Sequence, residues 1–262
     1  MAGRITKTLG GCAVISVAAI VCVVALVGWM VTANYVEAPV VSRKPIPADV
    51  PPAAGAPLPP VNVEAPGRTA DQFTFWSEPI AAATHIPVPA LNAYANATTI
   101  AAAAWPACHL NWTTLAGLGY VETRHGSYTG NLLKPAHIDE FGQVTPPIIG
   151  VPLDGSPGFA RIEDTDGGEY DGDVEFDRAV GPMQFIPSSW RLYGRDANGD
   201  FVADPNNIDD AALSAANLLC AKGHDLATPE GWSAAIRSYN NSVEYLIDVR
   251  NAAANYAIGQ RA

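Results

Sequence analysis

The apolar residues divide the chain into three parts with different patterns. The first part holds a run from Cys12 to Val31 that is almost entirely Ala, Val, Ile, Leu, Gly and Cys. The second part is rich in Pro and Ala, and the third repeats apolar residues at helical spacing. We therefore predict three segments, at residues 1–36, 37–70 and 71–262.

The apolar run predicts one transmembrane helix. It is long enough to cross a bilayer core of ~30 Å, whereas a secretory signal has a shorter apolar region of about 7–15 residues. Arg4 and Lys7 precede the run, and no charged residue follows it before Glu37. This asymmetry predicts a single-pass protein of the cell membrane, with a cytoplasmic N-terminus and the rest of the chain outside. The alternative is cleavage after Ala33 and secretion.

The second segment predicts an extended linker. Prolines recur through it, in pairs at Pro51-Pro52 and Pro59-Pro60, and few residues are suited to form a core. Such a chain is semi-rigid, with ~3.1 Å per residue where it adopts polyproline II. We expect residues 37–70 to form a stalk that holds the third segment away from the membrane.

Helical periodicity dominates the third segment, which has the length of one compact domain. Thr228 with Pro229 forms a helix start, and Ser242 is placed to cap the last helix. The predicted helices cover residues 89–105, 111–123, 209–222 and 228–239, followed by one from 242 onward. That last helix is expected to run through Val243, Leu246, Ile247 and Val249. The pattern predicts a mainly α fold.

Residues 126–180 interrupt the helices with a long stretch rich in Gly, Pro and Asp. A structureless run of that length inside a domain is usually functional, and we expect it to include a small hairpin or lid. Glu163 to Asp177 holds eight carboxylates in fifteen residues. That composition is typical of a solvated loop.

Charge and cysteine content restrict the function and the compartment. A formal net charge of -11 argues against nucleic-acid binding, which relies on basic patches. Cys12 and Cys22 lie in the predicted span, and Cys108 and Cys220 lie in the third segment. Two cysteines in an oxidising compartment usually pair. If these two pair, the bridge closes a loop of over a hundred residues, which stabilises the fold by up to ~4–5 kcal/mol.

Glu122 is the candidate catalytic residue. It continues an apolar stripe at helical spacing, formed by Leu115, Leu118 and Gly119. Gly126 is a plausible helix stop, which places Glu122 in the last turn. Partial burial and the negative end of the helix dipole both favour the protonated carboxyl, as general-acid catalysis near neutral pH requires. The alternative is an ion pair with Arg124 or His125.

Two further motifs carry candidate ligand contacts. The stretch from Gly181 to Trp190 offers the amide of Gln184 for hydrogen bonding to a sugar, with apolar neighbours that can pack or stack. Tyr239 and Asn240 lie between two predicted helices, where they can reach a pocket. The alternative is that the aromatic residues belong to the core and that Tyr239 and Asn240 cap helices.

These motifs, in this order, resemble the lysozyme-like lytic murein transglycosylases. The sequences are Val-Glu-Thr-Arg-His-Gly, Gly-Pro-Met-Gln-Phe-Ile-Pro-Ser-Ser-Trp and Ser-Tyr-Asn-Asn-Ser. The resemblance is closest to the membrane-bound type B family and its relatives in high-GC Gram-positive bacteria, and it covers residues 87–256. It implies a goose-type (SLT) lysozyme-like fold, with Glu122 as the sole catalytic acid/base. The implied substrate-binding residues are Gln184, Tyr239, Asn240, Met183 and Ser188.

The resemblance also implies a reaction and a partner. The substrate would be the peptidoglycan glycan strand, cleaved between N-acetylmuramic acid and N-acetylglucosamine to leave a 1,6-anhydro end. The chemistry requires no cofactor, and cell-wall synthesis or division proteins are possible partners. The long insert at residues 127–179 departs from the compact pattern of the family.

A second acidic segment is a candidate calcium loop. Asp196, Asn198, Asp200 and Asp204 place oxygen ligands at alternating positions, as at the start of an EF-hand loop. Type B relatives can carry a calcium loop at this place. The sequence lacks the glycine at position six and the glutamate at position twelve. The alternative is an Asx-rich turn.

Two other functions are compatible with the sequence. A muramidase would use Glu122 with water and a second carboxylate, for which the segment from Glu163 to Asp177 offers candidates. A non-catalytic glycan-binding or division scaffold would keep the groove without depending on Glu122. A buried acid on an apolar stripe argues against the scaffold, because it costs stability without a structural return.

Overall fold

The computed structural model describes residues 43–131 and 133–262. The predicted membrane span at residues 12–31 lies outside these ranges. Among the described residues, no helix is both long and apolar enough to cross a bilayer. Residues 45–262 form one compact unit.

Seven α-helices build this unit, in agreement with the predicted mainly α class. They are α1 Thr74–Thr84, α2 Val88–Ala104, α3 Trp112–Thr123, α4 Pro187–Tyr193, α5 Ile208–Cys220, α6 Pro229–Tyr239 and α7 Val243–Ala257. Short 3-10 helices precede α1 and α3. The predicted starts of α6 and α7 are confirmed, because the side chains of Thr228 and Ser242 accept hydrogen bonds from the backbone N–H groups of Gly231 and Tyr245.

Helix α3 lies in the middle of the core and packs mainly against α7, while α2 packs against α5. Close approach requires small residues on α3. A Cβ at Gly117 would lie 2.7 Å from the carbonyl oxygen of Val249, and a Cβ at Gly119 would lie 2.0 Å from the hydroxyl of Tyr94. These glycines let α7 and α2 contact the backbone of the helix that carries Glu122.

Helix α7 runs through Val243, Leu246, Ile247 and Val249, as predicted. Val243 and Ile247 are exposed. The face against the core carries residues spaced one helical turn apart: Tyr245, Val249, Ala252 and Tyr256. Aromatic and small residues form this face, because the adjacent α3 backbone leaves room for alanine and each tyrosine finds a hydrogen-bond partner.

The pairing of Cys108 with Cys220 is confirmed, across 112 residues of sequence. Cys108 lies in the 3-10 turn before α3, and Cys220 is the last residue of α5. The backbone N–H of Leu226 also donates to the carbonyl of Cys108, at 2.8 Å. The bridge therefore fixes the entry to α3 against the end of α5.

The insert contains two small antiparallel sheets. Strand β1 His137–Ile138 pairs with β2 Val144–Thr145, and β3 Ile149–Pro152 pairs with β4 Arg178–Val180. The prediction of a hairpin within this segment is confirmed. Between β3 and β4 the chain forms two further isolated antiparallel bridges, which join Asp154 to Arg161 and Glu163 to Phe176.

The Pro-rich segment packs on the domain from Pro47 onward, which differs from the predicted free stalk. Its backbone carbonyls accept hydrogen bonds from side chains of the domain, with Ala53 accepting from Thr113 at 3.0 Å and Ala56 accepting from Trp112 at 3.0 Å. Pro47 likewise accepts from Arg250 at 2.9 Å. Because proline has a carbonyl but no N–H, a Pro-rich segment offers acceptors to the side chains of the domain while it has few donors of its own to satisfy.

Candidate active site

Glu122 lies in the last turn of α3, as predicted. The helix ends at Thr123, and Arg124 adopts the left-handed C-cap conformation. The N–H of His125 donates to the carbonyl of Gly119 at 2.7 Å, which closes the helix end. The three residues that continue the stripe toward Glu122 are completely or almost completely buried: Leu115, Leu118 and Gly119.

The turn after α3 is fixed to the loop that carries Gln184. The hydroxyl of Thr123 donates to the carbonyl of Pro182 at 2.6 Å and accepts from the N–H of Gly126 at 2.8 Å. Arg124 and His125 have positive φ angles of 52° and 60°, a conformation that costs energy for non-glycine residues. Hydrogen bonds on both sides of the turn hold it there.

His125 is a buried, neutral anchor. Its Nδ1 lies 3.2 Å from the hydroxyl of Tyr94, and its Nε2 lies 2.8 Å from the hydroxyl of Tyr256. Burial lowers the pKa of His125 to about 3, and the charge of Arg124 adds to this effect. A neutral imidazole has one donor and one acceptor, which matches two tyrosine hydroxyls.

Glu122 does not form the alternative ion pair with Arg124 or His125. His125 contacts tyrosines, and the guanidinium carbon of Arg124 lies 3.9 Å from the centre of the Tyr120 ring. Within the described residues, no cationic side chain makes a salt bridge with Glu122.

Glu122 instead accepts a hydrogen bond from Tyr245, the third residue of α7. The bond joins the hydroxyl of Tyr245 to Oε1 of Glu122 and leaves Oε2 for other contacts. Burial raises the pKa of Glu122 to about 7, although the hydrogen bond from Tyr245 lowers it. A carboxyl with this pKa is available in both protonation states near neutral pH, as a group that alternates between acid and base requires.

Gln184 lies at the tip of a tight turn opposite Glu122. Val180 and Phe185 exchange two backbone hydrogen bonds across this turn, at 2.8 and 3.0 Å. A Cβ at Gly181 would lie 1.8 Å from the carbonyl oxygen of Pro205, so the turn requires glycine there. Gln184 itself has a φ of 51°, and its amide nitrogen donates to the carbonyl of Gly181 at 3.0 Å.

Two cavities meet at Glu122 and Gln184, which line both of them. The first, of about 260 Å³, lies toward the insert and is lined mainly by Tyr128, Ile149, Val151 and Arg178. The second, of about 360 Å³, is lined mainly by Phe159, Ile186, Ser189, Tyr239 and Asn240. Together they form a groove with the carboxyl of Glu122 at its middle.

The other predicted contact residues fall in different places. Tyr239 and Asn240 line the second cavity, but the hydroxyl of Tyr239 already donates to the carbonyl of Met183 at 2.6 Å. The side chain of Met183 is fully buried, which leaves it no surface for a ligand. The groove is lined by Ser189 rather than by the predicted Ser188.

The candidate calcium loop uses its oxygens for its own backbone. Asp196 accepts from the N–H groups of Gly199 and Phe201, each at 2.8 Å, and Asp200 accepts from Val202 at 2.8 Å. Asn198 accepts from the N–H of Asp200 at 2.9 Å. The side chain of Asp204 accepts from Asn206 and from Gln143. This is the geometry of the Asx-rich turn, the alternative for this segment.

In the described part of the chain, a different trio of carboxylates lies close enough together to hold a cation. Oxygens of Asp164, Asp166 and Asp177 lie within 4.8 Å of one another. Asp177 also accepts from the N–H and the hydroxyl of Thr165, both at 2.8 Å. These oxygens organise the acidic loop, and none of the three aspartates lines the groove.

Sequence reasoning missed Tyr245, which donates to Glu122, and Phe159, which lines the second cavity. A signal for Tyr245 was present, because it begins the spacing of the buried face of α7. Phe159 lies in the insert, where no periodicity indicates which aromatic side chain faces the site.

Comparison with known proteins agrees with this geometry. Residues 176–253 match the model of the Transglycosylase SLT domain family. The match covers less than half of the chain. It includes Gln184, Tyr239 and Tyr245, and it begins after Glu122. It supports a transglycosylase-like domain in this part of the chain. No curated protein and no solved structure matches the chain.

Proposed function

We propose that this protein is a peptidoglycan lytic transglycosylase with Glu122 as its only catalytic acid and base. The reaction would cleave the bond between N-acetylmuramic acid and N-acetylglucosamine and leave a 1,6-anhydro end. The observation that carries the proposal is that Glu122 is the only carboxylate among the described residues lining the groove. Most glycoside hydrolases need two carboxyl groups flanking the scissile bond.

The first half of the reaction uses the protonated carboxyl. Glu122, with its pKa raised to about 7, gives its proton to the glycosidic oxygen, and the bond from that oxygen to C1 of the muramoyl sugar breaks. The acetamido carbonyl of the same sugar can assist at C1. Protonation of the leaving group by a positioned acid contributes rate factors of about 10²–10⁴.

The second half uses the carboxylate left behind. Glu122 takes the proton of the muramoyl C6 hydroxyl, and the C6 oxygen forms a bond to C1. The proton count at Glu122 is restored, and no water molecule is consumed. Because acid and base are the same group, a pKa near the working pH suits both steps.

Two neighbours of Glu122 support these roles. Tyr245 holds Oε1 by its hydroxyl, so Oε2 is the atom directed to the sugar, and the bond stabilises the carboxylate between the two steps. Gln184 shares both cavities with Glu122, which suits its carboxamide to hydrogen bonding of the sugar at the cleavage point. The hydroxyl of Tyr239 donates to the carbonyl of Met183 and so fixes the backbone directly before Gln184.

The muramidase is the second candidate for the same bond. It would require water and a second carboxylate, for which the sequence offers candidates in the acidic segment of the insert. Asp173 in that segment makes an ion pair with Arg178 at 2.8 Å, and Asp164 accepts from three backbone N–H groups. Since these carboxylates serve the loop, the geometry favours the reaction that needs one carboxyl.

The proposed setting is the outer face of the cell membrane. The chain would be anchored by residues 12–31, with the domain acting on nearby glycan strands and, through them, alongside cell-wall synthesis or division proteins. Calcium binding at Asp196, Asn198, Asp200 and Asp204 is not required for the proposed chemistry and stays a prediction.

The proposal is tested by Glu122→Gln, with Glu244→Gln as the matched control because Glu244 is exposed on α7 and outside the groove. Release of soluble muropeptides from purified peptidoglycan should fall to background in Glu122→Gln and stay at the original level in Glu244→Gln. Sedimentation with peptidoglycan should show that both variants still bind. Activity retained in Glu122→Gln would contradict the proposal.

A further inference from the structure

We propose that Phe159, in the insert, determines which sugar binds beside Glu122 by packing its ring against the apolar face of an uncharged pyranose. The inference rests on the proposed function, because it names the ligand of one half of the same groove. Phe159 comes from the part of the chain that precedes the family match and departs from the compact pattern.

The position of Phe159 is set by a well-bonded hairpin tip. Asp154 and Arg161 form an antiparallel bridge at its base. Within the tip, the N–H of Gly155 donates to the carbonyl of Ala160 at 3.2 Å, and the N–H of Phe159 donates to the carbonyl of Ser156 at 2.9 Å.

The hairpin is anchored to the strand that leads to Gln184. Ile162 donates to the carbonyl of Leu153 at 2.8 Å, and Leu153 in turn donates to the carbonyl of Asp177 at 3.0 Å. The N–H of Asp177 donates back to Ile162 at 3.1 Å. Asp177 directly precedes β4, so the tip and the Gln184 turn extend from the same set of paired chains. The ring of Phe159 therefore has a defined place relative to Gln184.

The ring forms one wall of the second cavity and remains 49% exposed. Glu122, Tyr239 and the apolar side chain of Ile186 also line this cavity. When a ligand covers an exposed aromatic ring, the buried apolar surface stabilises the complex by about 25 cal/mol per Å². The C–H face of a pyranose suits the negatively polarised face of an aromatic ring.

The charge of the cavity indicates the class of sugar. No lysine or arginine lies among the residues lining the second cavity, and its only carboxylate is Glu122. The first cavity, in contrast, contains Arg178. The remaining polar groups of the second cavity are amides and hydroxyls, which include Gln184, Asn240 and Ser189. This lining suits an uncharged acetamido sugar such as N-acetylglucosamine.

The test is a binding measurement that does not depend on turnover. The full chain carrying Glu122→Gln, purified in detergent, is titrated with the N-acetylglucosamine tetramer in a calorimeter. Adding Phe159→Ala should weaken the affinity about tenfold, which corresponds to about 1.4 kcal/mol. Phe159→Trp should keep it within about twofold, because the stacking surface is retained. The matched control is Phe141→Ala, another exposed phenylalanine of the insert, and it should leave the affinity unchanged.

Several results would overturn the inference. One is an affinity for the tetramer that is unchanged in Phe159→Ala, and another is an equal loss of affinity in Phe159→Ala and Phe141→Ala. The others are weak binding by Phe159→Trp and no measurable binding by the protein that carries Glu122→Gln alone. With Glu122 intact, Phe159→Ala should raise KM for glycan strands about tenfold while kcat falls less than threefold. Suppose that muropeptide release is lost in Glu122→Gln while the KM of Phe159→Ala equals that of the original protein. This result would support the proposed function and reject the role of Phe159. If Phe159→Ala loses affinity for the tetramer but muropeptide release does not depend on Glu122, the role of Phe159 would be supported and the proposed function rejected.

Discussion

The hydroxyl of Tyr245 donates a hydrogen bond to Oε1 of Glu122 and joins the first turn of α7 to the last turn of α3. Tyr245 is itself buried, and both residues lie at helix ends, where the backbone is fixed by caps. The orientation of the Glu122 carboxyl is therefore set by the packing of α3 against α7. It does not rely on a neighbouring charge.

Removing this hydrogen bond should change the pH dependence of catalysis. A hydrogen bond to a charged group is worth about 1.5–3 kcal/mol, and the bond from Tyr245 lowers the pKa of Glu122. Tyr245→Phe should therefore move the basic limb of the kcat/KM profile upward by about one pH unit and lower the rate at the optimum. Tyr193→Phe, outside the groove, is the control and should leave the profile in place. An unshifted basic limb in Tyr245→Phe would contradict the assignment.

The raised pKa of Glu122 also predicts a pH-dependent stability difference. The folded pKa of about 7 exceeds the ordinary value of 4.5, so the folded state holds its proton more tightly than the unfolded state. This contribution is fully present below about pH 4.5 and is lost as the pH rises through 7. Glu122→Gln should therefore equal the original protein in stability at pH 4 and exceed it by about 1–2 kcal/mol at pH 8, after discounting for partial exposure.

Urea unfolding at the two pH values measures that difference. The same comparison with Glu244→Gln should show no pH-dependent gain, because that side chain is exposed. A stability gain in Glu122→Gln that is equal at pH 4 and pH 8 would indicate a packing effect instead of a titration.

The Pro-rich segment should stabilise the domain, which a truncation series can measure. A chain starting at Pro45 keeps the segment, a chain starting at Arg68 loses it, and a chain starting at Asp71 also loses Arg68. Arg68 contacts the buried carboxylate of Asp209 at 2.6 Å, and breaking a buried ion pair costs about 3–5 kcal/mol.

Thermal unfolding should show a lower Tm at each of the two steps. Equal Tm values for the chains starting at Pro45 and Arg68 would mean that the packed segment contributes nothing. Equal values for the chains starting at Arg68 and Asp71 would mean that the Arg68–Asp209 pair is without effect.

The disulfide should contribute strongly to stability because it closes a long loop. For the Cys108–Cys220 separation of 112 residues, the chain-entropy model gives about 4–5 kcal/mol. The double variant Cys108→Ser/Cys220→Ser should unfold at lower urea by that amount, and adding a reductant to the original protein should approach the same value. An unchanged midpoint in both cases would contradict the structural role of the bridge.

The sequence was most informative where local signals determine geometry. The last-turn position of Glu122 followed from helical spacing, although the helix ends at Thr123 with Arg124 as its cap and not at the predicted stop, Gly126. The starts of α6 and α7 followed from capping residues. Two tertiary features had no comparable local signal. Tyr245 reaches Glu122 because Gly117 on α3 lets α7 approach closely. The linker packs on the domain because side chains distant in sequence donate to its carbonyls.

The insert shows the same limit more clearly. Its Gly, Pro and Asp content predicted turns and a hairpin, which are present. It did not predict where these turns lie relative to the groove. The placement of Phe159 over the groove depends on hydrogen bonds between Leu153, Ile162 and Asp177, which no period in the sequence reports. Ser188 was chosen over Ser189 for a similar reason, because a one-residue difference in helical phase decides which side chain faces the groove.

The most direct test of the central claim is the chemistry of the product end. Purified peptidoglycan is digested by the protein in water enriched in ¹⁸O, and the soluble muropeptides are analysed by mass spectrometry. If Glu122 acts alone, the new ends should be 1,6-anhydro-muramoyl residues that contain no ¹⁸O, because the C6 hydroxyl supplies the oxygen. Reducing ends that carry one ¹⁸O atom would show attack by water and would contradict the account.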